Sequence, residues 1–247
     1  MPFPVKYSVK ENVDFLIMLR KLSNRITFLC QNNLQKKLLK KSFGNNIKSH
    51  VVGMNINEFH DEKSIIQNEE VKKYNVVFHG EPSEAKGVSY FIDLAKILPE
   101  FTFFIPSKKA LCEKVLNKKI TLQNLFFNDV TWETGLKDII KKTDLVINPS
   151  LWSASIEGAL LKSIFFSKRT ATVSSSFGFE KEISKRINLI RLPLDLHMAS
   201  LIIKDYLSSK VLSYDADYKN ALIKILKNYN KDIFYFVDKN EQVKIVD

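Results

Sequence analysis

Glycine and proline number only 7 each in 247 residues, beside 2 cysteines and 4 histidines. Neither a Walker loop nor a G-x-G-x-x-G run is present, which removes the commonest glycine-built phosphate cradles. Cys30 and Cys112 stand in apolar surroundings without C-x-x-C spacing, so buried reduced thiols in a reducing cytoplasm are expected rather than a disulfide or a zinc site. The histidines (His50, His60, His79, His197) form no cluster along the chain. No run of 18 apolar residues suggests a membrane span, and no long apolar segment follows Met1-Pro-Phe-Pro as in a signal peptide.

Acidic residues are also in the minority. Lys and Arg total 38 against 27 Asp and Glu, a net charge of +11. Most of the excess lies in residues 1 to 50, which hold ten Lys/Arg and two Asp/Glu. Such asymmetry fits an anionic partner, whether a phosphorylated ligand, an anionic membrane surface or nucleic acid; it fits equally a Lys-rich solvated face. The basic segment 36 to 41 comes with no helix-turn-helix and no aromatic-interleaved platform, which disfavours nucleic acid. The expectation is a cytoplasmic protein, with a peripheral contact to the inner face of the membrane as the use for the basic region.

What the chain does have is a regular alternation of apolar runs. Residues 10 to 22 predict a short helix, Ile26 to Cys30 a strand, Leu34 onward a helix ended by Gly44, and Ser49 to Val52 a second strand. Residues 1 to 53 therefore read as a partial α/β segment, either the last portion of a larger domain or a small docked appendage. Residues 54 to 74 are polar and read as a linker. From Asn75 the alternation becomes strict, with strands at 76–78, 101–105, 125–127, 144–148, 169–174 and 187–191. Helices are expected at 86–98, 108–117, 134–142, 157–167 and 179–184. That pattern predicts a parallel sheet covered by helices on both faces over residues 75 to 195. Two further helices, about 196–209 and 215–230, close the chain through residue 247. Asp215 and Asp217 precede the second, and N-capping accounts for them better than metal binding.

The stretch from Asp144 to Ser163 is the candidate site. An apolar strand ends in Asn148-Pro149-Ser150, a small-residue loop follows, and a helix opens near Glu157 and Gly158. A strand end feeding a helix N-terminus offers free backbone N–H groups and the positive end of a helix dipole, which favour phosphate.

Three segments in register carry a family resemblance: Phe78-His-Gly80 with Lys86-Gly87; the Asp144–Ser150 strand with Trp152; and Glu157-Gly-Ala-Leu-Leu-Lys162 before the 168–173 strand. Together they resemble the C-terminal, donor-binding half of GT-B glycosyltransferases, especially family 4, over about residues 75 to 190. The segment 25 to 60 is similar to the end of that fold's N-terminal, acceptor-side domain. The resemblance implies a Rossmann-like sheet and transfer of a sugar from a UDP- or GDP-hexose to a glycan or lipid-linked acceptor in surface polysaccharide synthesis. It implies no obligatory metal. An alternative is a truncated or degenerate nucleotide-sugar-binding module without activity of its own.

The implied roles fall on particular residues. Gly80 is the glycine turn and Lys86 a diphosphate ligand, favoured over the alternative of an exposed Lys at a helix start; Glu81 stands where the family has Arg. Phe127 and Asn128 occupy the base-binding region, where an aromatic can equally be core. Ser150, Ser155, Gly158 and Ala159 line the phosphate and sugar, with helix capping the plainer role for the serines. The family's two Glu, eight apart, fall on Ala154 and Lys162. Lysine accepts no hydrogen bond, so Lys162 would meet a phosphate or Glu157 instead. Glu157 either bonds donor-sugar hydroxyls or simply complements the helix dipole. Lys86 and Glu157 are the catalytic candidates. His79 either lines the cleft or, more simply, is satisfied locally.

Overall fold

The computed structural model describes residues 9–52, 74–152, 157–175, 178–183, 189–208, 222–224 and 227. The linker up to residue 73, Ser153, Ala154, Ser155, Ile156, Asp215, Asp217 and most of the 215–230 segment lie outside the described residues.

The N-terminal segment is α1 (Val9–Leu22), β1 (Thr27–Cys30), α2 (Asn33–Phe43) and β2 (Lys48–Val51). Its two strands pair in parallel, Thr27 with Lys48 through Cys30 with Val51. Asn32 caps α2 by accepting a hydrogen bond from the Gln35 amide at 2.7 Å. Gly44, at φ +99, ends that helix after Lys40 and Lys41, two cations that suit its C-terminal dipole.

The larger unit follows as β3 (Val76–Phe78), α3 (Val88–Ile97), β4 (Phe103–Ile105), α4 (Lys109–Leu116) and β5 (Leu125–Phe127). It continues through α5 (Lys137–Lys142), β6 (Leu145–Asn148), α6 (Gly158–Phe166), β7 (Thr170–Val173), β8 (Leu189–Leu192) and α7 (Leu196–Ser208). Its six strands are all parallel, in the order β5-β4-β3-β6-β7-β8. The chain thus winds outward from β3 to one edge, returns, and winds from β6 to the other.

The strands are nearly pure apolar runs because both faces are covered, and the period-two geometry sorts their side chains. Val76, Phe78, Phe103, Ile105, Leu145 and Ile147 join the core under α3, α4 and α7; Val77, Phe104 and Val146 join the one under α5 and α6. Phe91 of α3 packs edge-on against Phe78 and Phe103 at 5.4 and 5.3 Å. Each such buried ring is worth about 1.5–3 kcal/mol of transfer energy. Cys30 and Val51 belong to the second core, so the N-terminal pair of strands shares it. Both cysteines are free and buried, which pushes their thiols up.

Two elements differ from sequence expectation. The helix expected from residue 134 is preceded by a wide turn, Trp132–Leu136, in which Gly135 takes φ +124 and breaks the helical path. The helix expected at 179–184 is a single tight turn, Phe179–Lys181. Short polar segments lack the apolar stripe that sustains a longer helix.

Candidate functional site

In an open parallel sheet the ligand crevice lies outside the strand C-termini where the winding reverses, here between β3 and β6. An open cleft of about 600 Å³ occupies that position. Its floor and walls include His79 and Gly80 after β3, Pro106 and Ser107 after β4, Asp129 to Trp132 after β5, and Gly158, Ala159 and Lys162 of α6.

The Lys86–Gly87 turn is clamped against the segment following β6. The Leu151 amide donates to the Ala85 carbonyl at 3.0 Å. Gly87 sits at φ +73, and a Cβ there would lie 2.0 Å from the Pro149 carbonyl oxygen. Only glycine admits this approach. The clamp brings Lys86 to the start of α6, where its Nζ meets Glu157 Oε1 at 2.5 Å. Glu157 precedes the helix in extended conformation and makes no side-chain cap bond to it. Its partner is thus Lys86, 71 residues away in sequence, and not merely a helix dipole. Gly80, by contrast, has room: a Cβ would only touch the Phe78 ring at 3.4 Å.

Lys162 projects over the Trp132 ring, 4.8 Å from its centroid. The same ring stacks on His79 at 5.8 Å, nearly parallel at 8°. His79 Nδ1 is 2.8 Å from the buried Ser163 hydroxyl. Burial first, and the Lys162 charge second, push the imidazole down to about 4, so it is neutral at ordinary pH. Beneath it, Asn148 donates from Nδ2 to the His79 carbonyl at 2.6 Å, while its fully buried Oδ1 has no partner among the described residues.

Of the residues expected from sequence, Gly80, Gly158, Ala159 and Lys162 line the cleft. Glu157 and Ser150 line a neighbouring water-sized cavity of about 10 Å³, with Trp152, Thr172, Ser175 and Glu180. Phe127 and Asn128 stop short of the cleft; the next four residues line it, and Phe127 packs on the core. Ser155 lies outside the described residues. Asp129, the last residue of the expected base-binding region, does line the cleft, whereas Thr131, Trp132 and Glu180 carried no sequence signal. Among the described residues no group of three or more His, Cys, Asp or Glu gathers for a metal.

Set against solved structures, the chain superposes on Anabaena Alr3699/HepE in complex with UDP with a TM-score of 0.72, at 14% identity, over 96% of this chain and 70% of that one. The fold is that of the GT-B glycosyltransferases. A glycosyltransferase from Rickettsia africae ESF-5 superposes with a TM-score of 0.68 at 12% identity, over 92% of this chain and 68% of its own. The pneumococcal O-GlcNAc transferase GtfA, solved with UDP and GlcNAc, gives 0.61 at 13% identity, over 93% of this chain and 48% of its own. The chain thus spans about half to two-thirds or slightly more of these GT-B proteins. No protein-family model and no curated protein sequence matches it. Among the described residues no helix is long and apolar enough to cross a membrane.

Proposed function

We propose that this GT-B chain binds a nucleotide-sugar, a UDP- or GDP-hexose, and transfers the hexosyl unit to a hydroxyl of a glycan or lipid-linked acceptor. The observation that carries the reading is the cleft at the winding reversal, lined by Gly80, Gly158 and Ala159, with Lys86, itself outside that lining, paired to Glu157 just before Gly158. Backbone donors at a helix N-terminus with an adjacent cation suit a diphosphate. The UDP complexes of its structural neighbours support the same ligand class.

In the transfer, the bond from the anomeric carbon to the terminal phosphate oxygen breaks and a bond to the acceptor oxygen forms. The acceptor hydroxyl gives up its proton to solvent, and the nucleoside diphosphate leaves with the electron pair. Lys86 and the amides of residues 157 to 159 meet the charge that grows on the leaving diphosphate, without need of a metal. Glu157 orients Lys86 and accepts hydrogen bonds from the sugar. Ser150 adds a hydroxyl beside Glu157. Trp132 and the turn 129–131 take the place of Phe127 and Asn128 as the side facing the base. The basic charge of residues 1 to 50 serves the acceptor and an anionic membrane surface, as suits surface polysaccharide synthesis on the inner face of the membrane.

The test is calorimetric titration with UDP, GDP and their hexoses, with the two tryptophans, Trp132 and Trp152, as fluorescence reporters beside the site. Binding in the micromolar to millimolar range is expected, and Lys86→Ala weakens it by about tenfold or more, as for loss of a charge-assisted bond. No binding at millimolar ligand sinks the reading. The second reading, a binding module without turnover, is favoured by Lys162 over Trp132 at a family carboxylate position. Transfer to an acceptor by the isolated chain refutes it.

A further inference from the structure

The Lys86–Glu157 pair is an unusual endowment for an anion site, because a cation that reaches the α6 N-terminus is already matched by a carboxylate at 2.5 Å. The pair is largely buried, at 28% and 9% exposure, so solvent screens it little. The carboxylate also opposes the positive end of the α6 dipole. Yet its side chain caps none of that helix's amides. The pair lies beside the cleft, Glu157 directly before Gly158; the charged residues lining the cleft itself are Glu81, Asp129 and Lys162, with Asp129 met by Lys108 at 3.4 Å. Among the described residues the charges at the site are therefore balanced, without a surplus of positive charge.

We propose that Glu157 is the specificity-determining residue by which this site favours the intact nucleotide-sugar over the free nucleoside diphosphate, speeding product release. The inference rests on the nucleotide-sugar reading above. In a nucleotide-sugar each phosphate carries one ester and the shared anhydride bond, hence one charge, and the sugar supplies hydroxyl donors that a carboxylate accepts. Once the sugar leaves, the terminal phosphate gains a second ionisation with a pKa near about 6 and loses those hydroxyls. A carboxylate in close range then repels it. Lys86 holds Glu157 aimed, and Glu157 in turn keeps Lys86 from retaining the product.

The experiment titrates the whole chain by calorimetry with UDP and UDP-glucose, or GDP and GDP-mannose if that pair binds, at a pH of about 7.5. Glu157→Gln keeps shape and removes the charge. It is expected to tighten the diphosphate about tenfold while the nucleotide-sugar changes by about threefold or less, in line with roughly 1.4 kcal/mol per decade. Equal change in both ligands, or none, overturns the proposal. An arm on the unmodified protein does not depend on the variant folding. Lowering the pH to about 5.5 protonates the terminal phosphate and leaves the nucleotide-sugar unchanged, so the diphosphate gains several-fold relative to its sugar. His79 stays neutral over that range. A relative loss instead marks an ordinary cationic phosphate site and overturns the proposal. If the unmodified chain binds neither ligand, the nucleotide-sugar reading itself falls, and this inference with it.

Discussion

His79 shows how much one side chain can decide at this site. It is buried, stacked on Trp132 and bonded to Ser163, and its imidazole is held near about 4, below the usual range. In the unfolded chain it would bind a proton near about pH 6.5. Between those two values the unfolded state carries more protons, so stability present above the unfolded value drains away as pH falls toward about 4. Going from about pH 7.5 to pH 5, this residue alone is expected to cost about 2 kcal/mol. Urea melts at the two pH values check it: in a His79→Asn variant the pH dependence shrinks by about that amount. A variant with unchanged pH dependence shows that the loss comes from elsewhere. Because the ring stays neutral, it serves the cleft as a flat polar wall and not as a cation.

At the scale of elements, the decisive join is between the start of α3 and the segment after β6. Two strands that neighbour each other in the sheet but lie about 70 residues apart bring Gly87 against Pro149, and the Ala85 carbonyl against the Leu151 amide. Gly87→Ala combines a left-handed φ of +73 with a Cβ 2.0 Å from a backbone oxygen. The backbone must move, at a cost of at least about 2 kcal/mol. Gly80→Ala meets only ordinary contact and is expected to change folding stability by about 0.5 kcal/mol or less. Thermal melting of the two variants side by side tests the contrast, which collapses if both melt alike. Since the same join sets Lys86 beside Glu157, a displaced α3 start also uncouples that pair.

At the scale of the whole molecule, the N-terminal pair of strands is held by more than apolar contact. Glu182, just after the Phe179–Lys181 turn, accepts hydrogen bonds at the N-terminus of α2 from the Leu34 amide and from Asn33 Nδ2. A carboxylate at a helix N-terminus is favoured twice, by the bond and by the dipole. The preceding turn carries Glu180, which lines the small cavity beside Glu157, so the clasp ties the N-terminal segment to the rim of the site. Glu182→Ala is expected to cost about 1–2 kcal/mol and to raise hydrogen exchange at Leu34 while leaving β3 and β6 protected. Uniform exchange across the sheet defeats that expectation.

The architecture was legible in the residues themselves. Apolar runs such as Val76–Phe78 and Leu145–Asn148, alternating with striped helices such as Val88–Ile97, dictate a parallel sheet covered on both faces, because local spacing alone decides which residues must be buried together. The place of the cleft followed too, since a strand end feeding a helix N-terminus is a local feature. What only the tertiary structure decided is who meets whom there. Glu157 pairs with Lys86, Lys162 lies over Trp132, and Trp132 stacks on His79, contacts that join residues 30 to 71 apart in sequence. No periodicity encodes such meetings. They depend on strand order and on a glycine turn that lets two backbones touch.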